Sequence, residues 1–175
     1  MDRGRGCVAA IELCPKPVIA GAEGWCLGGG FEILLACDLV FASEDAVFGF
    51  PEVELGLIPG LGGTQLTTSR FGAARAKELI MTGRRIDAQT ASAWGLINRV
   101  VSCGGLQGEI KDFARDLCKH SSQAITAAKR SINSGLQNGF AAGMSVERKE
   151  FLKCFNDSTT HERLTVSMKT GTKRR

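Results

Sequence analysis

Histidine, proline and aromatic residues are scarce in this 175-residue sequence, and cysteine lacks any metal or redox pattern. The two histidines are His120, at a helix end before Ser121 and Ser122, and His161, in a polar segment. Neither has a serine, cysteine or aspartate at a spacing that builds a nucleophilic pair, so neither is assigned catalysis. The seven cysteines (7, 14, 26, 37, 103, 118 and 154) include no Cys-x-x-Cys pair and no histidine at metal-ligand spacing. Dispersed thiols of this kind predict small buried hydrophobes in a reducing compartment, with no disulfide framework and no metal site.

Long apolar runs are missing too. None approaches the ~20 residues that span a bilayer, and the opening Met1-Asp2-Arg3-Gly4-Arg5-Gly6 has no apolar core of a secretory signal, so a soluble protein with no membrane partner is expected. The formal net charge is +4, but Lys169, Lys173, Arg174 and Arg175 sit in the tail and the first five residues carry a further excess, leaving a nearly neutral body. A nucleic-acid surface needs a basic stripe on a folded face, and none is found. There is no internal repeat and no low-complexity linker.

What the sequence does contain is an α/β pattern that turns helical. Residues 1–101 alternate glycine-punctuated apolar strands with short helices, and residues 102–175, beyond Ser102-Cys103-Gly104-Gly105, read as amphipathic helix. Lys16 to Gly24 predicts a buried strand, Phe31 to Cys37 a buried helix, and Leu39–Ala42 and Ala46–Gly49 short strands around the turn Ser43-Glu44-Asp45. Asp87 is placed to cap a helix from Ala88 to Trp94, stopped by Gly95 before a strand Leu96–Val100. Helices over 106–119, 123–136 and 140–155 follow, with Phe113, Leu117, Ile125, Ala128 and Ile132 at helical spacing.

Two glutamates frame the chemically suggestive stretch. Glu32 follows the triplet Gly28-Gly29-Gly30, and Glu52 closes Phe48-Gly49-Phe50-Pro51-Glu52. A glycine triplet opening an apolar helix aims bare backbone N–H groups at an anionic oxygen, and the helix dipole adds partial positive charge there. Two carboxylates nearby can carry protons to and from whatever holds that oxygen, which suits a thioester enolate. Each has an alternative reading: a first-turn glutamate can be only a dipole partner or cap, and a glutamate after a strand only a solvated loop residue. Gly60-Leu61-Gly62-Gly63-Thr64 lacks a P-loop lysine and the spaced glycines of a dinucleotide loop, and is read as a tight turn into a helix.

Taken together, these segments resemble one family. Ile19 to Gly24, Gly28-Gly29-Gly30, Leu35-Ala36-Cys37-Asp38-Leu39, Phe48 to Glu52, Gly56 to Gln65, Thr82-Gly83-Arg84 through Ala91, and Gly95-Leu96-Ile97 to Val100 are similar, in order, to the crotonase superfamily of enoyl-CoA hydratases and isomerases. The resemblance runs over about residues 10 to 160. It departs at Ala22, where a β-branched residue is usual, at Leu66-Thr67, where Gln65 is usually followed by an arginine and a leucine, and at Arg163 and Ser167 near the C-terminus.

The resemblance implies a ββα spiral core, N-terminally truncated, over residues 1–101 and a C-terminal helical oligomerisation region over residues 102–175. It implies that Gly29 is an oxyanion-hole donor, that Gly28 and Gly60 line the acyl-CoA pocket, and that Glu32 and Glu52 are the acid/base pair that adds water syn across a 2-enoyl-CoA. Isomerases of the family generally keep only the carboxylate at the Glu52 position, so the pair favours hydratase over isomerase. Acyl-CoA thioester is the implied substrate, with no cofactor beyond the CoA it carries. A homotrimer or hexamer is the implied assembly, working in fatty-acid or branched-chain amino-acid degradation in a mitochondrial, peroxisomal or cytoplasmic setting. The family's first third, with its first oxyanion donor and the loop around the CoA adenine, has no match in these residues. A non-catalytic binding or oligomer-forming subunit is therefore the alternative expectation.

Overall fold

A computed structural model describes residues 2–171, and the side chains of residues 4–168. The basic run Lys173-Arg174-Arg175, and with it any pairing with CoA phosphates, lies outside the described residues. The chain divides into two compact units that meet in sequence at Lys119 and His120.

In the first unit, helix α1 (Asp2–Leu13) leads into strand β1 (Ile19–Ala22), β2 (Trp25–Leu27), helix α2 (Gly29–Ala36), β3 (Leu39–Ser43) and β4 (Val47–Gly49). A 3-10 helix (Pro51–Leu55), α3 (Gly63–Phe71), α4 (Ala73–Thr82), β5 (Arg85–Asp87), α5 (Ala88–Ala93), β6 (Arg99–Val101) and α6 (Leu106–Leu117) complete it. The strands form two sheets, β1-β3-β6, which is parallel, and β2-β4-β5, in which β4 pairs parallel with β2 and antiparallel with β5. Strands close in sequence therefore do not pair: the Ser43-Glu44-Asp45 turn joins strands of different sheets rather than closing a hairpin. β1 and β2 are likewise split between the sheets by Gly24 at φ 59°, a left-handed turn that favours glycine.

This alternation is a spiral. Strand, strand and helix make one turn, and the next turn lays β3 on β1 with Ile19 opposite Leu39, and β4 on β2 with Trp25 opposite Val47. A structural repeat of about twenty residues thus exists where no sequence repeat is visible, because only the alternation of apolar positions has to recur. The core fills the space between sheets and helices with Phe31, Leu34, Leu35, Val40, Phe48, Phe50, Leu79 and Ile86. Phe31 is central: its ring lies 4.8 Å from Phe50 and 5.4 Å from Phe48, centroid to centroid.

Several sequence expectations change in detail. The strand expected over 16–24 is short and only half-buried at Ile19 and Ala20, with Gly21 exposed, because β1 is the end strand of its sheet. The strand expected from Leu96 starts at Arg99. Leu96 N–H closes the C-terminus of α5 by donating to Ala91 O (3.0 Å), and Asn98 then bridges to β3 through Val40 by its backbone N–H and side-chain oxygen, both at 2.8 Å. Asp87 caps α5 as expected, accepting from Thr90 N–H at 2.7 Å. Of the seven cysteines only Cys37 is fully buried; Cys7, Cys103 and Cys118 are exposed, since their places on α1, in a turn and at the end of α6 face solvent.

The second unit holds α7 (Ser122–Asn138), α8 (Phe140–Phe155) and α9 (Ser158–Gly171). α7 and α8 touch through glycine: a Cβ on Gly143 would lie 2.7 Å from Gly135 Cα. Ala127 and Lys129 of α7 are buried and Ile125, Ser131 and Gly135 half-buried, whereas Ala128 and Ile132 are exposed within this chain. The close approach is set by small residues, so the larger apolar stripe of α7 is left outward. No described helix is long and apolar enough to cross a membrane.

Candidate active site

The site begins with the way α2 starts. Gly28 has φ 52° and ψ −128°, and its N–H donates to Gly49 O at 3.0 Å, which ties the start of the helix to the end of β4. Gly29 is then the first helical residue, and among the described residues its N–H has no partner. Helix geometry leaves such first-turn donors free, aimed along the axis with the positive end of the dipole behind them. Gly60 N–H also has no partner among the described residues, while Gly60 O accepts a long contact, 3.5 Å, from Arg5 Nε.

Glu32 lies in that first turn and is 1% exposed. Its Oε1 accepts two backbone N–H groups, from Leu61 at 2.7 Å and Gly63 at 2.6 Å. These are short, charge-assisted bonds that fix the carboxyl and offset the cost of burying it. The cradle needs glycine at 63: a Cβ there would fall 2.8 Å from Glu32 Oε1 and 2.7 Å from Pro59 Cβ. Gly62, at φ 115°, makes the turn that lets both N–H groups face one oxygen.

Glu52 reaches the same region from the next turn of the spiral. It is in the 3-10 helix after Pro51 rather than at the end of a strand, because β4 stops at Gly49 and Phe50 is drawn into the core against Phe31. Gly28 faces its carboxyl directly, since a Cβ on Gly28 would be 2.9 Å from Glu52 Oε1. Glu52 Oε2 is buried and has no hydrogen-bond partner among the described residues. Its pKa is raised above the usual carboxylate value, mainly by desolvation and further by the charge of Glu32, against its own backbone N–H, which acts the other way. A carboxyl so placed takes up a proton more readily than one in water, while its neighbour is held by N–H donors.

The fold thus draws Gly28, Gly29, Glu32 and Glu52 together, and Gly60 starts the turn whose next residues hold Glu32. Sequence reading missed Leu61 and Gly63 as donors to Glu32. The second glycine cluster was the available signal, but as a turn it carries no mark of which side chain it receives. No group of three or more His, Cys, Asp or Glu able to hold a metal occurs among the described residues.

This geometry can be set beside known proteins. The profile of the enoyl-CoA hydratase/isomerase family matches residues 5–170. The chain belongs to this family. It is 39% identical over 156 residues to the short-chain-enoyl-CoA hydratase of Clostridium acetobutylicum, a match covering 89% of this chain and 60% of that protein. It is 42% identical over 154 residues to the probable mitochondrial enoyl-CoA hydratase 2 of Arabidopsis thaliana, covering 88% and 50% respectively. The crystal structure of enoyl-CoA hydratase from Bacillus anthracis superposes with a TM-score of 0.92 at 36% identity, over 97% of this chain and 66% of that one. The chain therefore carries the family's α/β fold over about half to two-thirds of these relatives' length.

Proposed function

We propose that this chain carries the proton-transfer centre of an enoyl-CoA hydratase. Gly29 N–H receives the thioester oxygen. Water held between the two carboxyls adds through its oxygen to Cβ of a 2-enoyl-CoA and gives up a proton to Glu32. The C=C electron pair moves toward the thioester as an enolate, and Cα then takes the proton of Glu52. One water is added and the double bond is lost, hydroxyl and proton arriving on the same face, and the proton left on Glu32 restores, through solvent, the one that Glu52 gave up. The observation that supports this most is the unequal pair: Glu32, with one oxygen pinned by two N–H groups, and Glu52, with a buried unpartnered oxygen and a raised pKa. The retention of both carboxyls favours hydration over double-bond isomerisation.

In this reading the substrate is an acyl-CoA thioester from fatty-acid or branched-chain amino-acid degradation, CoA enters with it, and no separate cofactor takes part. The helices beyond residue 101 serve a homotrimer or hexamer. The family's first oxyanion donor has no counterpart matched in these 175 residues, so this polypeptide alone is expected to turn over about 10²–10³-fold slower than one with both donors.

The test is steady-state hydration of a short 2-enoyl-CoA at high protein concentration. Glu32→Gln and Glu52→Gln keep shape but lose proton transfer, and each is expected to lower kcat by about 10²–10⁴-fold with little change in KM. Unchanged kcat in either variant removes that residue from the mechanism.

A further inference from the structure

One residue links Glu32, α1 and the start of α2. Leu61 gives its N–H to Glu32 Oε1 at 2.7 Å, while its half-buried side chain runs back between two glycines on different helices. On one side a Cβ at Gly4 of α1 would fall 2.5 Å from Leu61 Cδ2, so that the end of the leucine side chain would have to move, and 3.3 Å from its Cδ1, a tight contact. On the other, a Cβ at Gly29 would lie 3.6 Å from the same Cδ1, an ordinary contact distance. The Leu61 side chain therefore stands beside the first residue of the helix whose first N–H is the proposed oxyanion donor, with room for one carbon between them. The long contact from Arg5 Nε to Gly60 O, 3.5 Å, ties α1 to the same turn.

Gly4 stands in the first turn of α1, where a residue with a side chain would propagate the helix at least as well as glycine does. α1 also carries Gly6, beside which a Cβ would meet nothing within 4 Å, so the close fit is particular to Gly4. Space at Gly4 is thus space for Leu61. We propose that Leu61 is a positioning residue: wedged between α1 and the start of α2, it sets where its own N–H, and with it the Glu32 carboxyl, stands relative to Gly29. This rests on the hydratase reading only for the part that Glu32 plays; the wedge itself is a matter of packing.

The test is a size exchange. Gly4→Leu adds a good helix former to α1, so any loss it brings cannot come from weakening that helix. It should drive Leu61 from its slot and break the Leu61 N–H bond to Glu32, raising amide exchange at Leu61 by roughly tenfold or more. Gly4→Leu combined with Leu61→Ala returns the volume, and exchange at residue 61 should fall back toward the parent value. In the hydration assay, kcat should drop by up to about 10²-fold in Gly4→Leu with KM nearly constant, and should largely recover in the double variant. A Leu61 side chain that simply swings outward would leave the residue 61 amide as protected in Gly4→Leu as in the parent, and that result overturns the proposal. Moved amides with unmoved kcat overturn it equally. If no protein in the series, parent included, hydrates the substrate, it is the hydratase reading that fails, and the amide exchange alone decides whether Leu61 positions Glu32.

Discussion

At the scale of single residues, the site's economy lies in glycines that are absences of side chain. Gly28 combines a left-handed φ with a Cβ position 2.9 Å from Glu52 Oε1, whereas a Cβ on Gly29 meets only Leu61 at contact distance. Gly28→Ala is therefore expected to cost about 1–3 kcal/mol and to displace Glu52, while Gly29→Ala changes stability little, as urea unfolding would show. Glu52 gives a pH signature. Its folded pKa is raised above the value of 4.5 it has when free. A raised pKa means that the anionic form is less favourable in the folded protein than in the unfolded chain, so this group costs stability at pH values above its folded pKa, and the cost is gone once the pH falls below the unfolded value. Glu52→Gln should unfold at higher urea than the parent at about pH 7, with the gap closing below about pH 4. A gap that widens toward acid pH would mean that Glu52 is stabilised as an anion, contrary to this account. The glutamates and the glycine triplet were legible in the sequence because residue type and spacing carry their chemistry. Leu61 and Gly63 were not, because a backbone N–H is common to nearly every residue and only the fold says where it points.

At the scale of elements, the positions of α2 and the Glu52 segment depend on three phenylalanines. Phe31 is the neighbour of Glu32 and Phe50 stands two residues before Glu52, so the contact of their mutually tilted rings sets the separation of the two carboxyl-bearing segments. Phe31 is fully buried. Phe31→Ala is expected to cost about 3–5 kcal/mol, measured by chemical unfolding, and a cost under about 1 kcal/mol would show that the site is held by other contacts. The twenty-residue offset between the glutamates now has a physical reason: it equals the offset between Ile19 and its partner Leu39, one turn of the spiral. Element types were readable from apolar patterning and caps, as with Asp87 and α5. Strand lengths and partners were not, since short β-rich segments look alike whether they pair with the next strand in sequence or with the one a turn away.

At the scale of the whole molecule, the chain joins a spiral unit to a unit of three helices that leaves Ile132, Leu136, Phe140 and Phe151 more than 60% exposed within one chain. That much outward apolar surface supports the proposed self-association, and sedimentation at micromolar concentration should show a trimer or larger species. A well-folded monomer would remove oligomerisation from the account. The central claim, however, is that Glu32 and Glu52 work on one face of one substrate. Hydration of a short 2-enoyl-CoA in deuterium oxide tests it most directly, because the product records which face each carboxyl served. The account predicts deuterium at Cα on the same face as the new hydroxyl at Cβ; label on the opposite face, or spread over both, would contradict it.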